Sequence, residues 1–154
     1  MSKNTHLPLF VDMSGKKVLV YGAGNIARRR ITTLVDFDAD VTVVAPDVRP
    51  EVMESEVFSK VTYINKAYEP GEIADGRMGK PFMVLSATND KSVNSAVYEE
   101  AKAAGFIANN ASDQTQCDFM FPAIIRKDDM VIGVTSGGRD HTGTRKFAAQ
   151  LREM

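Results

Sequence analysis

The stretch VLVYGAGNIARRRITTL, at residues 18–34, changes character near its middle. It begins as an apolar run typical of a buried strand and ends as a polar segment with apolar residues at helical spacing. Between the two, Gly22, Gly24 and Ala27 match the pattern G-x-G-x-x-A. This pattern is informative when it directly follows a strand and opens a helix, as it does here. It predicts a tight turn that brings bare main chain close to a diphosphate.

Each position of the motif has its own physical role. Gly22 allows the tight turn, Gly24 lets the main chain approach the diphosphate, and Ala27 is small enough for the helix to pack closely on the strand. The N–H groups near Asn25 and Ile26, together with the helix dipole, favour the phosphate charge. The alternative is a tight strand–helix turn that binds no ligand.

Strands and helices alternate up to residue 111. The predicted strands are 16–22, 40–46, 61–68, 82–88 and 106–111. The predicted helices are 25–37, 49–60 and 92–105, the last closed by Gly105, and residues 69–81 form a loop. Alternation at this pitch predicts an α/β fold, a Rossmann-like doubly wound parallel sheet with helices on both faces.

The pattern changes after the fifth strand. Residues 119–138 hold two apolar runs separated by RKDD, which leaves no room for a crossover helix. The two strands must therefore be antiparallel and form a short hairpin. A C-terminal helix is predicted at 142–154. We divide the chain into an NAD-binding Rossmann-like domain at 1–112 and a hairpin and helix segment at 113–154.

Composition narrows the class of protein. The 154 residues are 44% hydrophobic and 25% charged, which fits a soluble globular fold. The net charge of −1 argues against a nucleic-acid binder. One cysteine excludes an intramolecular disulfide and suits a reducing cytoplasm. We expect no signal peptide, no membrane span, since no apolar run approaches ~20 residues, and no metal, because Cys and His lack zinc spacing.

The acidic residue that usually binds the ribose is missing from its usual place. In dinucleotide-binding folds it stands at the end of the second strand. Here that strand ends at Ala45 and Pro46, and Asp47 follows. Either Asp47 and nearby main chain hold the ribose, or it is recognised loosely. Without a carboxylate in the usual place, repulsion does not exclude NADP.

Polar residues follow the fourth strand of the predicted sheet. The carboxyl ends of the strands face the ligand crevice in a doubly wound sheet. Thr88 and Asn89 are therefore candidates for hydrogen bonds to the nicotinamide end of a cofactor. Alternatively, Asn89 or Asp90 is the N-cap of the next helix.

The loop after the fifth strand offers Ser112, Asp113 and Asp118 by the same logic. No histidine is near them in sequence to form a nucleophile pair, so a carboxylate there suits proton transfer. The alternative is an Asp that caps loop N–H groups.

Two further groups leave alternatives open. Three arginines at residues 28–30 either form a solvated helix face or attract a polyanionic ligand. Thr135, Ser136, Arg139 and His141 surround two glycines, which form either an anion-binding nest or merely a turn.

Several stretches occur together in order: LPLFVDMSGKKVLVYGAGNIARRRITTL, VTVVAP, SATND, CDFMFPAII and IGVTSGG. Together they closely resemble the precorrin-2 dehydrogenase family, the amino-terminal module of siroheme synthases. The likeness covers nearly the whole chain. It implies NAD-dependent oxidation of precorrin-2 to sirohydrochlorin, a carboxylate-rich tetrapyrrole, and in some members ferrous iron insertion as well. It also implies a homodimer built through the region after the dinucleotide domain.

The resemblance also implies roles for individual residues. The implied cofactor-binding residues are Gly22, Gly24, Asn25, Ile26, Pro46, Asp47, Thr88 and Asn89. The implied proton acceptor, or group that orients substrate, is Asp113, one place later than the acid of relatives that read Asn-Val-Val-Asp. The substrate-binding candidates are Ser112, Thr135, Ser136 and Arg139. Relatives commonly have Ser-Pro where this chain has Asp140 and His141.

A second class of function uses the same glycine motif. A non-catalytic NAD(H)-sensing domain that regulates a partner needs the cofactor turn, but it needs no acid in the loop after the fifth strand and nothing that binds a tetrapyrrole.

Overall fold

The computed structural model describes residues 3–154. Residues Asp12–Phe119 form one compact unit, here the sheet unit. Residues 3–11 and Met120–Met154 form a second, here the hairpin unit. The predicted boundary lay between residues 112 and 113. The two units instead divide after Phe119, and the amino-terminal residues belong with the hairpin.

The sheet unit is a five-stranded parallel sheet whose connections contain helices, except the crossover from β3 to β4. Its strands are β1 (Lys17–Tyr21), β2 (Asp40–Val44), β3 (Thr62–Ile64), β4 (Met83–Ser86) and β5 (Ile107–Asn110). Its helices are α1 (Asn25–Asp36), α2 (Pro50–Met53) and α3 (Lys91–Ala103). The strand order is β3-β2-β1-β4-β5. The predicted fold is confirmed, and the order reverses between β1 and β4, which opens a ligand crevice at the carboxyl ends of these strands.

Strand β1 lies at the centre of the sheet because its residues form an unbroken apolar run. A strand covered on both faces needs apolar side chains at successive positions. Leu19 and Tyr21 share one core cluster with Val97 and Ala101 of α3. The alternate residues of β1 point to the opposite face, where the right-handed β1–α1–β2 crossover places α1.

The predicted helix at 49–60 is wrong beyond its first turn, because α2 ends at Met53. After α2, only a single turn of 3-10 helix follows, at Phe58–Lys60. The Ser55 hydroxyl donates to the Val52 carbonyl at 2.6 Å and accepts the Phe58 N–H at 3.3 Å. Such local bonds compete with the bonds of a continuing helix.

The predicted strand at 61–68 is correspondingly short, and only β3 pairs within it. Turns without helix or strand occupy residues 69–81, as predicted. This crossover is fixed by a buried carboxylate instead of a helix. Glu72 is fully buried, and it accepts hydrogen bonds from the Tyr21 hydroxyl at 2.8 Å and from the Lys66 ammonium group.

The hairpin unit contains the predicted antiparallel pair and helix. Its elements are the antiparallel strands β6 (Ala123–Lys127) and β7 (Met130–Val134) and the helix α4 (His141–Glu153). Helix α4 begins one residue earlier than predicted, because the Asp140 carboxylate accepts the Gly143 N–H at 2.7 Å. Among residues 3–154, none of the helices combines the length and apolar character that crossing a membrane requires.

Candidate dinucleotide site

The first glycine of the motif is required by packing. Gly22 has a φ of +112°, in the region that favours glycine. A Cβ at this position would lie 2.3 Å from the carbonyl oxygen of Ala87 and 3.0 Å from the Thr88 nitrogen. The turn after β1 therefore presses directly against the chain that leaves β4, and no larger residue fits there.

The second glycine is under no such constraint. Gly24 caps α1 with ordinary extended backbone, and a Cβ there would meet no atom within 4 Å. Within the described chain, no side chain caps α1, and its first turn carries no acidic residue. The first N–H groups of α1 thus lack a side-chain cap from the described residues, as at helix starts that bind phosphate, while the buried Ala27 holds the helix against the sheet.

The residues after Gly24 connect the first turn to the end of β2. Asn25 and Ile26 are both exposed, and Ile26 leaves 45% of its surface accessible. The Arg49 guanidinium, directly before α2, donates to the Asn25 side-chain oxygen at 2.5 Å. The sequence interpretation missed Arg49. The sequence feature that could have indicated it is its position, because Arg49 is a cation three residues after Pro46, and Pro46 stands where the ribose-binding acid is expected.

The residues after β2 lie on the other side of the region between the start of α1 and the end of β2. Ala45 is buried, and its carbonyl accepts the Tyr63 hydroxyl at 2.9 Å. Pro46 and Asp47 follow as exposed residues. Asp47 is therefore the first carboxylate beyond the strand.

The three arginines of α1 divide into two environments. Arg28 and Arg29 are exposed, as a solvated helix face requires. Arg30 is half-buried and donates to the Asn109 side-chain oxygen of β5. Burial lowers the pKa of the Arg30 guanidinium. Arg30 therefore fastens α1 to β5, and only the first two are available to a ligand.

A buried amide that the sequence interpretation missed joins two of the predicted loops. Asn94 of α3 is 1% exposed. Its side-chain oxygen accepts the Thr88 N–H at 2.9 Å and the Thr88 hydroxyl at 2.7 Å, and its NH2 group donates to the Ser112 hydroxyl at 3.1 Å. The structure thus brings the predicted residues Thr88 and Ser112 together. The sequence feature that could have indicated this role is the spacing of Asn94, which places its amide on the same helix face as Val97 and Ala101.

The cap of α3 confirms the capping alternative for Asp90 and leaves the cofactor contacts of Thr88 and Asn89 a prediction. Asp90 is the N-cap, and its carboxylate accepts the Ser92 N–H at 2.8 Å and the Val93 N–H at 3.3 Å. Hydrogen bonds from the Ser92 hydroxyl and from these N–H groups lower the pKa of Asp90. Asn89 does not cap the helix and lies exposed at the rim.

The predicted acid after β5 is held in a tight local turn. The Asp113 carboxylate accepts the Thr115 hydroxyl at 2.7 Å and the Thr115 N–H at 2.9 Å. These two bonds lower the pKa of Asp113, so the side chain is ionised. The capping alternative is confirmed as a local role of Asp113, and it leaves the catalytic role a prediction.

The second acid of this loop has a structural role. The Asp118 carboxylate accepts bonds from the Lys102 ammonium and the Ala108 N–H, both at 2.8 Å. It lies beside the amino-terminal half of β5, away from the ligand crevice. Burial raises the pKa of the nearby Cys117 thiol, which suits an inert packing residue.

The substrate-binding candidates of the hairpin unit lie in a turn. The Thr135 hydroxyl accepts the Gly137 N–H at 3.0 Å, and the Ser136 hydroxyl accepts the Asp140 N–H at 2.8 Å. Arg139 donates to the Ser136 carbonyl at 3.2 Å. The hydroxyls thus support the turn interpretation of these glycines.

A cavity of about 220 Å³ opens beside that turn. Thr135 and Ser136 line it together with Arg145, Arg152 and apolar side chains, and no acidic residue of the described chain lines it. No group of three or more His, Cys, Asp or Glu side chains within residues 3–154 is arranged to hold a metal ion.

Known proteins resemble this chain over most of its length. The model of an NAD(P)-binding family matches residues 9–123. The chain is 40% identical over 148 residues to the "Probable multifunctional siroheme biosynthesis protein HemA" of Ruminiclostridium josui, across 96% of this chain and 28% of that protein. It is 33% identical over 134 residues to a siroheme synthase of Blochmanniella pennsylvanica, across 87% of this chain and 27% of that protein. The chain therefore spans less than a third of these relatives.

A solved structure gives the same result. "SirC, precorrin-2 dehydrogenase" superposes with a TM-score of 0.77 at 27% identity, over 96% of this chain and 70% of that chain. The family predicted from sequence motifs is confirmed. The chain belongs to the NAD(P)-binding family of precorrin-2 dehydrogenases and siroheme synthases.

Proposed function

We propose that this chain catalyses the NAD-dependent oxidation of precorrin-2 to sirohydrochlorin in siroheme formation. The observation that carries the proposal is the open main chain at Gly24 in a fold that matches a precorrin-2 dehydrogenase at a TM-score of 0.77. The siroheme names of the relatives support it, and they belong to proteins more than three times as long.

The residues at the carboxyl ends of the strands bind and orient the cofactor in this proposal. The main chain from Gly24 to Ile26 binds the diphosphate, and Pro46 and Asp47 border the adenosine ribose. Thr88 and Asn89 border the nicotinamide end, and Asn94 holds Thr88 rigid. When bound, the nicotinamide supplies the hydride acceptor.

Asp113 takes the proton in this proposal. Oxidation of precorrin-2 removes a hydride from one carbon and a proton from a neighbouring position. The bonds from Thr115 lower the pKa of Asp113, so its carboxylate is ionised and free to take a proton, although the same bonds make it a weaker base. The Asn94–Ser112 bond stabilises the loop that carries it.

The hairpin unit supplies substrate contacts in this proposal. Precorrin-2 combines a flat macrocycle with many carboxylates. The cavity beside Thr135 and Ser136 offers apolar side chains together with Arg145 and Arg152, which suits such a molecule. Arg139 is exposed next to this turn and is the third candidate partner for a carboxylate.

We also propose that the chain works as a homodimer in the cytoplasm. Large apolar side chains are exposed on the hairpin unit, which supports a partner surface. The single cysteine supports a reducing compartment.

Absorbance spectra after mixing with precorrin-2 and NAD test the activity. We expect the sirohydrochlorin spectrum to appear together with NADH. Asp113→Asn keeps a side-chain oxygen to cap the turn but removes the base, so we expect turnover to fall by about 10²-fold or more with NAD affinity unchanged. The exposed Asp129→Asn variant is the matched control. NAD binding without product would favour the sensing alternative.

A further inference from the structure

The end of β2 lacks the group that makes a dinucleotide site selective for NAD. In sites of that kind, a carboxylate directly after the second strand bonds the 2′-hydroxyl and repels a 2′-phosphate. Here the first two positions are Ala45, whose carbonyl is taken by Tyr63, and Pro46, which has no N–H to donate. Neither position discriminates against a phosphate, and the first carboxylate, Asp47, comes one place further on.

A cation stands at this corner instead. The Arg49 side chain is 53% exposed, and its guanidinium lies 2.5 Å from the Asn25 side-chain oxygen, at the first residue of α1. The corner between the start of α1 and the end of β2 is where the adenosine ribose of a dinucleotide lies in this fold. Arg49 therefore lies at the corner where this fold places the 2′-position of a cofactor.

The Arg49 guanidinium has N–H groups left to donate to a ligand. The bond to Asn25 uses one of its five N–H groups. The Glu51 carboxylate lies 3.5 Å from its Nε, in an exposed pair that contributes little to stability. A phosphate accepts two parallel N–H bonds from a guanidinium, so it can replace Glu51.

We propose that the site accepts NADP(H) as well as NAD(H), and that Arg49 binds the 2′-phosphate. This inference rests on the dinucleotide site of the proposed function. Glu51 is the competing anion, and it weakens NADP binding without contact to NAD.

Titration of the full chain with NAD and with NADP, followed by calorimetry, tests the inference. We expect wild-type dissociation constants within about tenfold of each other. Arg49→Gln should weaken NADP binding about tenfold or more, as expected for loss of the charged contact to the phosphate, and should change NAD binding less than twofold. Glu51→Gln should tighten NADP binding only. Arg49→Lys should keep part of the NADP affinity.

The matched control is Lys60→Gln, which makes the same charge change at an exposed cation that is paired with a glutamate and lies before β3, away from the carboxyl ends of the strands. It should leave the ratio of the two dissociation constants unchanged. A wild-type chain that binds NAD but not NADP would overturn the inference and leave the proposed function standing. Equal weakening of both cofactors by Arg49→Gln would also overturn it. If neither cofactor binds, the dinucleotide site fails, and this inference fails with it.

Discussion

Two glycines of one motif are constrained by different neighbours. Gly22 cannot carry a side chain, because Ala87 and Thr88 of the same unit occupy the space. Gly24 can carry one as far as the protein itself is concerned. The packing of the described residues therefore does not require a glycine at this position. The sequence pattern predicted both positions, but it did not distinguish packing from binding.

Gly24→Val separates the two explanations. The backbone at Gly24 is extended and the space above it is empty, so we expect little change in the melting temperature. The new side chain occupies the diphosphate position, so NAD binding measured by calorimetry should be lost. Gly22→Ala is the contrasting control, and it should lower the free energy of unfolding by about 3 kcal/mol or more, because its Cβ would clash with the Ala87 carbonyl in addition to straining the backbone. Retained NAD affinity in Gly24→Val would contradict the motif interpretation.

The hydrogen bonds that lower the pKa of Asp113 make a second prediction at this scale. The Thr115 hydroxyl is the largest cause of that shift. Thr115→Val removes it, so the pKa of Asp113 should rise toward its ordinary value. A base must be ionised to work, so activity falls as the pH falls through its pKa. The acid limb of the kcat/KM profile should therefore move to higher pH in Thr115→Val. An unmoved limb would count against Asp113 as the proton acceptor.

The residues that the sequence interpretation missed have partners distant in sequence. Asn94 bonds Ser112, and Arg49 bonds Asn25, across 18 and 24 positions. The glycines are recognisable because their role depends on local chain geometry. The sequence could in principle have indicated that Asn94 needs buried hydrogen-bond partners, because it is an amide on an apolar helix face. It could not have indicated which residues those partners are.

At the scale of elements, the connections were harder to predict than the strands. Apolar runs predicted every strand of the sheet, because a buried parallel strand needs them. The crossover from β3 to β4 has no periodic pattern. It is fixed by Glu72, which accepts from Tyr21 of β1, and by Glu100 of α3, which accepts N–H groups of the crossover. No local pattern predicts that a glutamate is buried.

Tyr21→Phe tests the buried part of this network. The Tyr21 hydroxyl is a donor to a fully buried carboxylate, and its own pKa is raised, first by burial and then by Glu72. Its removal leaves Glu72 one donor short. We expect the free energy of unfolding, measured by urea titration, to fall by about 1–3 kcal/mol. Tyr63→Phe removes a half-buried hydroxyl and should cost less. Equal costs would show that the bond to Glu72 has no special weight.

Glu100 gives the crossover a dependence on pH. Burial opposes its ionisation, but bonds from the Tyr68 hydroxyl and from the N–H groups of Ala74, Gly71 and Ile73 outweigh burial and lower its pKa. A lowered folded-state pKa stabilises the fold above the unfolded-state pKa, and this contribution is lost as the pH falls through the folded-state value.

Glu100→Gln should therefore be less stable than wild type at pH 7. The difference in the free energy of unfolding should shrink as the pH falls below about 4, the ordinary range for a glutamate. Urea titrations at neutral and acidic pH measure it. A difference that stays constant with pH would mean that the charge of Glu100 contributes nothing.

For the whole molecule, the order of elements predicted the topology but not the grouping of its parts. A strand–helix alternation predicts a parallel sheet, and a short link predicts a hairpin. Residues 3–11 have no such pattern, and they group with the hairpin unit. The contacts of this extended segment depend on surfaces that exist only in the folded chain, so the sequence did not predict them.

The exposed side chains of the hairpin unit predict self-association. Leu7, Phe10 and Phe147 leave 82%, 72% and 52% of their surfaces accessible. A two-stranded sheet is marginally stable alone, so a second copy that covers these side chains stabilises it. We expect light scattering to give about twice the 16.9 kDa of one chain. Phe10→Asp and Phe147→Asp should give monomers that still bind NAD. Met53→Asp, at an exposed position of the sheet unit, should remain dimeric. A monomeric wild type, or a dimer that survives both substitutions, would contradict the prediction.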